Sequence, residues 1–298
     1  MKNSSSKILT IAMIISMILW GISWPSNKVM KEFGNPLELA FFRNLFVVIS
    51  LFLILIIAKV PIKIKKEAIP FVLITGVLMA LYNYTFLMGL DKGTPGAGGI
   101  LVTTLNPIMA YGIGILVAKR KPLVNESIGL FLGLVGACFL LQIWDGASDL
   151  LKKWNLFFLS CALVWAVMSK FTSKSGNYGS PFAFSWWMYL VTIITLLPLV
   201  DYAEVNNIIH VKEMRFWGNL LFSSVITTSL ATTIYFYATS KIGAEKASSF
   251  IFTVPFTAAI SSYFVFGELI HWYTIVGGIF GISAVWILNR KTKKTSEN

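Results

Sequence analysis

The chain has 298 residues, of which 56% are hydrophobic and only 13% charged, with a mean hydropathy of +0.74. Soluble domains carry about 25% charged residues, so the chain is short of the surface charge a water-soluble protein needs. The net charge of +12 does not mark a nucleic-acid surface either, because the basic residues sit in short clusters between long apolar runs rather than on one solvated face.

Lys2 and Lys7 precede an apolar stretch, as in a signal peptide, but the stretch continues through Trp20 and Trp24 with no small-residue cleavage site. It is read as an uncleaved first span over residues 8–30. Apolar runs over 37–58, 68–90, 95–118 and 124–142 follow. After an external linker at 143–153 come runs over 154–174, 181–200, 216–239, 244–266 and 272–289, then a basic cytoplasmic tail at 290–298. Most have the ~17–25 residues with which a helix crosses the hydrocarbon layer, and the runs are too long for barrel strands. Helices are required because every backbone N–H must be paired internally in lipid. The expected fold is an all-α integral membrane protein of ten transmembrane helices.

Loop charges set its orientation. One side collects Lys2, Lys7, Lys59, Lys63, Lys65, Lys66, Lys119, Arg120, Lys121, Lys170, Lys174, Lys241, Lys246 and the tail. The other side has only Lys28, Lys31, Lys92, Lys152, Lys153, Lys212 and Arg215. This asymmetry predicts cytoplasmic N- and C-termini in the cell membrane.

The two halves echo each other. Asn106-Pro107 is answered by Val254-Pro255, and Gly129, Gly133 and Gly136 by Gly277, Gly281 and Ala284, at an offset of 148. An offset of 145 carries Trp20 to Trp165, Pro36 to Pro181 and Phe41-Phe42 to Trp186-Trp187. The period is too long for a solenoid. It predicts two five-helix repeats, 1–142 and 154–289, and an odd number of spans per repeat makes them an inverted pair. Such a pair suits alternating access to a central site.

Trp20-Gly21 in the first span, Pro36 followed by Arg43 in the second, Pro107 and Pro255 in the fourth and ninth, Gly267-Glu268 after the ninth, and Gly-rich fifth and tenth spans carry a resemblance. The layout resembles the EamA-like branch of the drug/metabolite transporter superfamily, over nearly the whole chain. The resemblance implies export or uptake of small metabolites or amino acids; of the two, export is the expected direction. One departure is that Arg120 stands where an acid matching Glu268 is common in the family.

The sequence lacks a GxxxxGK[ST] phosphate loop, and neither His210 and His271 nor Cys138 and Cys161 have metal-ligand spacing. No cofactor or metal is expected, and no catalytic carboxylate pair falls at membrane depth, which argues against a membrane-embedded enzyme. A receptor or assembly subunit would fit the helices but would leave the repeat unexplained. For substrate binding the candidates are Arg43, a charge within a span; Tyr82, Asn83, Thr103 and Asn106 in the third and fourth spans; and the tryptophan pair Trp20 and Trp165. Ser224, Thr228 and Thr232 recur every fourth residue in the eighth span, as do Ser249, Thr253, Thr257 and Ser261 in the ninth; Thr232, Tyr235 and Thr253 are the candidates there. Pro107 and Pro255, each removing a mid-helix hydrogen bond, are candidate hinges. The expected partners are the lipid bilayer, a small-molecule solute and, through the Gly-rich faces, a second copy of the chain.

Overall fold

The computed structural model describes residues 2–92, 95–145, 155–267 and 269–290. They form helices α1 (Lys2–Met30), α2 (Pro36–Ile57), α3 (Ile69–Lys92), α4 (Pro95–Ala118), α5 (Val124–Leu141), α6 (Asn155–Thr172) and α7 (Pro181–Leu196). A short helix α8 (Tyr202–Ile209) follows. The stretch expected as the eighth span runs through α9 (Met214–Leu221), a π-helical stretch Phe222–Thr232 and α10 (Thr233–Ile242). The expected ninth comprises α11 (Ala244–Ser249), a 3-10 turn Phe250–Thr253 and α12 (Val254–Phe266), and α13 (Trp272–Asn289) matches the expected tenth. Among the described residues nine stretches are long and apolar enough to cross a membrane, and Pro181–Leu196 is apolar but shorter at 16 residues.

Local chemistry accounts for the boundaries. Pro36 and Pro181 open α2 and α7 at the first helical position, where a missing N–H costs nothing, and Ser180 Oγ caps α7 by accepting from Phe182 N at 3.2 Å. The seventh span, expected to reach residue 200, stops at Leu196 because Pro198 cannot continue the helix and disfavours helical geometry before it. Helix α8 lies between the stretches expected as the seventh and eighth spans; Asp201 caps it, Oδ1 accepting from Ala203 N at 2.8 Å. Gly243, at φ +87°, makes the tight turn between α10 and α11 that a side chain would strain. Much of the linker expected at 143–153 lies outside the described residues, as do Glu268 and the tail beyond Arg290.

The bundle is turned inside out relative to a soluble protein. Ile8, Ile11, Ile15 and Ile18 form an exposed stripe on α1, while Met13, Met17 and Trp24 on its other face are buried. Asn27, Asn44, Asn83 and Asn106 are at most 2% exposed. Lipid accepts the isoleucines and leaves the amides to find partners within the protein.

Helix neighbours follow a pattern. The first span packs against the eighth and ninth, and α6 packs against α3 and α4. α3 lies on α7 as α2 lies on the eighth span, and α5 lies on α13. Exchanging the first five spans with the last five maps each of these pairings onto another or onto itself. The glycine faces of α5 and α13 meet within the chain: an added Cβ at Gly277 would lie 2.9 Å from the Gly136 carbonyl oxygen, and one at Gly136 would lie 3.0 Å from that of Gly277. These glycine faces therefore pack against each other within the chain. One end of the bundle is tied by Lys31–Asp91 (2.8 Å) and Arg215–Glu32 (3.1 Å). The opposite end is tied by Lys170–Glu245 (3.0 Å) and by Lys65 Nζ donating to Asn177 O (3.0 Å).

Candidate solute-binding cavity

Trp20, Ser23, Trp24 and Asn27 recur at i, i+3, i+4 and i+7, one face of α1, and all four line a cavity of about 70 Å³. That is room for roughly five waters at about 10–15 Å³ of accessible volume each, or a solute of comparable size. Pro25 interrupts α1 within this face and frees the carbonyl of Gly21. Ser261 Oγ donates to that carbonyl at 3.2 Å, so the ninth span supplies the bond the proline removed. Gly21 permits the approach: a Cβ there would lie 2.7 Å from the Thr257 backbone carbonyl carbon.

Arg43 projects into the cavity from α2 and is only 7% exposed. Its Nη1 donates to Asn27 Oδ1 at 3.3 Å and its Nη2 to Asn83 Oδ1 at 2.5 Å, while Nε has no partner. The two amides are themselves fixed, Asn27 Nδ2 donating to Ser23 O at 2.7 Å and Asn83 Nδ2 to Met79 O at 2.8 Å. Ser223 Oγ donates to Asn27 Oδ1 at 3.1 Å. The guanidinium is thus held from α1 and α3 by neutral oxygens, with the face of Phe86 5.8 Å away.

Around it the walls are aromatic and hydroxylic. Trp20 and Trp165, mates in the two halves, meet edge to face at 5.1 Å, and Tyr82 lies 4.8 Å from Trp165. Trp20 Nε1 donates to Thr232 Oγ1 at 3.2 Å. Asn106 Nδ2 donates to Ala162 O at 3.2 Å, and its Oδ1 is buried without a partner. Thr103 Oγ1 donates to Gly99 O at 2.6 Å, leaving its lone pairs to the cavity.

The eighth span owes its polar face to a change of helix type. Ser223 and Thr232 would lie on opposite sides of an α-helix, nine residues at about 100° each. A π-helix has about 4.4 residues per turn, which returns Ser223, Thr227, Thr228 and Thr232 to one side. All four line the cavity. The hydroxyls follow the wider ladder: Thr227, Thr228, Ser229 and Thr232 each donate to the carbonyl five residues back, at 2.8–3.2 Å.

The EamA-like transporter family model matches residues 7–142 and again 152–290. The chain belongs to the EamA-like transporter family. It is 26% identical over 271 residues to the uncharacterized transporter YoaV of Bacillus subtilis, covering 89% of this chain and 91% of that one. It is 22% identical over 299 residues to an uncharacterized transporter of Archaeoglobus fulgidus, covering 97% of this chain and 99% of that one. A protein of known crystal structure shares the fold, with a TM-score of 0.69 over 95% of this chain and 96% of its own at 11% identity. With its apolar spans, the chain is an integral membrane protein of transporter type.

In this EamA-like chain the sequence candidates divide. Trp20, Arg43, Tyr82, Thr103, Asn106, Trp165 and Thr232 line the cavity. Asn83 stands behind Arg43 with both ends of its amide in use. Tyr235 is buried behind the tryptophans, its ring 5.2 Å from Trp20 and its hydroxyl 2.9 Å from Ser169 Oγ. Thr253 is not in the wall; its hydroxyl donates to Phe250 O at 2.8 Å. The ninth-span stripe packs elsewhere: Ser249 accepts from Asn289, and Thr257 and Ser261 donate to Met17 O and Gly21 O of α1. In the eighth span Ser224, expected on the polar stripe, is not in the wall, because the π-helix moves the stripe to Ser223 and Thr227. Pro107 is inside α4 as expected, whereas Pro255 is the second residue of α12, at the 3-10 to α junction rather than mid-helix. Arg120, at the acid position of the repeat, forms a bidentate pair with Glu126 at 2.7 Å. Asn27, Ser23, Tyr189 and Thr227 were missed; for the first two the i, i+3, i+4, i+7 spacing with Trp20 was the available signal.

Proposed function

We propose that this protein moves a small organic solute across the cell membrane by alternating access, with the cavity as the central site. The reading takes ten spans as two inverted five-helix repeats, counts the 16-residue α7 as a span, and puts both termini in the cytoplasm. The exchange-symmetric helix pairings and the meeting of repeat mates Trp20 and Trp165 at the cavity wall support it most directly. A site on such an axis can be exposed to either side by exchanging the two halves' conformations.

In this orientation the present conformation is closed toward the cytoplasm. The lining residues lie in the outer part of α1 and α2, the central and outer parts of α3 and α4, and the central part of α6, α7 and the eighth and ninth spans. On the side of the termini, Ser169–Tyr235 (2.9 Å), Thr172–Thr239 (3.4 Å) and Lys170–Glu245 (3.0 Å) join the sixth span to the eighth and ninth. Opening inward would part these contacts, with Pro25, Pro107 and the Pro255 junction as points where the helices can bend. Export is the direction proposed. The deciding experiment is flux into proteoliposomes from a broad panel of amino acids and related metabolites. Movement of at least one solute, competed by its analogues, is expected; a folded protein that moves none overturns the proposal.

A further inference from the structure

We propose that the solute carries one carboxylate or comparable monoanionic group, and that Arg43 holds it. The inference rests on the transport reading only in calling the ligand a solute; the site itself stands on the geometry of α1, α2 and α3. A guanidinium buried inside a membrane protein is costly unless its charge is compensated. Among the described residues Arg43 forms no ion pair, and its partners are the neutral amide oxygens of Asn27 and Asn83. Those amides fix its position and satisfy two of its five N–H donors without cancelling its charge.

The arrangement is unlike an arginine that snorkels to the interface. Snorkelling extends the head toward water, whereas this head is only 7% exposed and is tied inward to two neighbouring helices. Its Nε–H is buried and unpartnered, and the residue lines the cavity. An Nε–H beside an Nη–H is the fork that a carboxylate engages with two parallel bonds.

The rest of the wall limits what else the ligand can be. Arg43 is the one charged side chain among the described lining residues. A dianion would bring in one uncompensated charge, and a cation would meet a repelling one. Among the polar lining residues the wall also carries Trp20, Trp24, Trp165, Ile251 and Val254, apolar surface for the body of such a ligand. A small amphiphilic monoanion fits the charge, the mixed polar and apolar wall and the volume together.

The test uses the full-length protein in nanodiscs of zwitterionic lipid at fixed ionic strength, with acetate and acetamide as probes of equal size and different charge. Thermal unfolding is followed by tryptophan fluorescence. Acetate is expected to raise the melting temperature of the wild type and acetamide to leave it unchanged. Arg43→Gln should lower the apparent acetate affinity about ten- to hundredfold, the loss of charge-assisted bonds. Asn27→Asp guards against misfolding of that variant: it supplies an internal carboxylate next to Nη1, so it should stabilise the ligand-free protein and abolish the acetate shift. Equal shifts with acetate and acetamide, or an undiminished acetate shift in Asn27→Asp, overturn the proposal. Flux on the same preparation separates the two readings. Transport of neutral solutes without carboxylate preference would leave the transporter standing and remove the anion site; an acetate shift dependent on Arg43 without flux of any solute would do the reverse.

Discussion

Two asparagines that look equivalent in the sequence should behave differently when replaced by leucine. Asn83 is 0% exposed and accepts the bond from Arg43 Nη2, so Asn83→Leu leaves a charged donor unpaired in a buried site. A hydrogen bond to a charged group contributes about 1.5–3 kcal/mol, and the Met79 carbonyl loses only a second partner because its helical bond remains. Asn106 donates one neutral bond to Ala162 O and leaves Oδ1 unpartnered in the cavity wall. Asn106→Leu should therefore cost the folded protein about 0.5–1.5 kcal/mol, while removing an acceptor the solute can use. The expected affinity loss in Asn106→Leu is roughly 2- to 13-fold. Asn83→Leu should be the less stable variant and should weaken binding through the misplaced guanidinium. Stability is read by thermal unfolding in nanodiscs and affinity by competition with the best transported solute from the flux panel. If Asn106→Leu is the less stable of the two and keeps wild-type affinity, the division between a lining amide and a positioning amide is wrong.

Trp165 packs against Trp20, Tyr82 and Phe236 at 4.8–5.5 Å, so Trp165→Ala should destabilise by about 3–5 kcal/mol, with Trp165→Phe much milder, by the same unfolding assay. The Lys170–Glu245 pair is partly exposed, so Lys170→Met should change stability by about 1 kcal/mol or less. The same variant should raise labelling of a cysteine introduced at Thr232 from the cytoplasmic side; unchanged labelling would mean the pair does not hold the inner side shut. Gly21→Val should disrupt the contact of α1 with Thr257 and lower expression of folded protein, whereas the same change at Gly112, which has open space around it, should be tolerated. Epitope tags at Lys7 and beyond Arg290 are expected to be cytoplasmic, and one placed at 146–152 external; a C-terminal tag accessible only from outside would remove the inverted repeat.

The sequence alone determined the membrane class and the approximate spans, and it singled out Trp20, Arg43, Tyr82, Asn106 and Trp165, which line the cavity. Those inferences succeed because their causes are local or compositional: backbone groups must be paired within each span in lipid, and a charge or amide at membrane depth must face protein. Tertiary structure decided which polar group faces the cavity and which faces a neighbouring carbonyl. Thr257 and Ser261 share a helix face that suggested a lining, yet Pro25 of α1 leaves the Gly21 carbonyl open, and that demand draws Ser261 away. Asn83 reaches the site through Arg43, 40 residues away in the chain, a relation visible only once α2 and α3 are packed. The eighth span is the clearest case. Its hydroxyls were counted at α-helical spacing, and the π-helical stretch rotates Ser223 and Thr227 into the wall and Ser224 out of it. Serine and threonine hydroxyls can satisfy themselves on either backbone ladder, so their own chemistry does not choose between the two. The packing of α1 and α2 against that span is what the sequence could not supply.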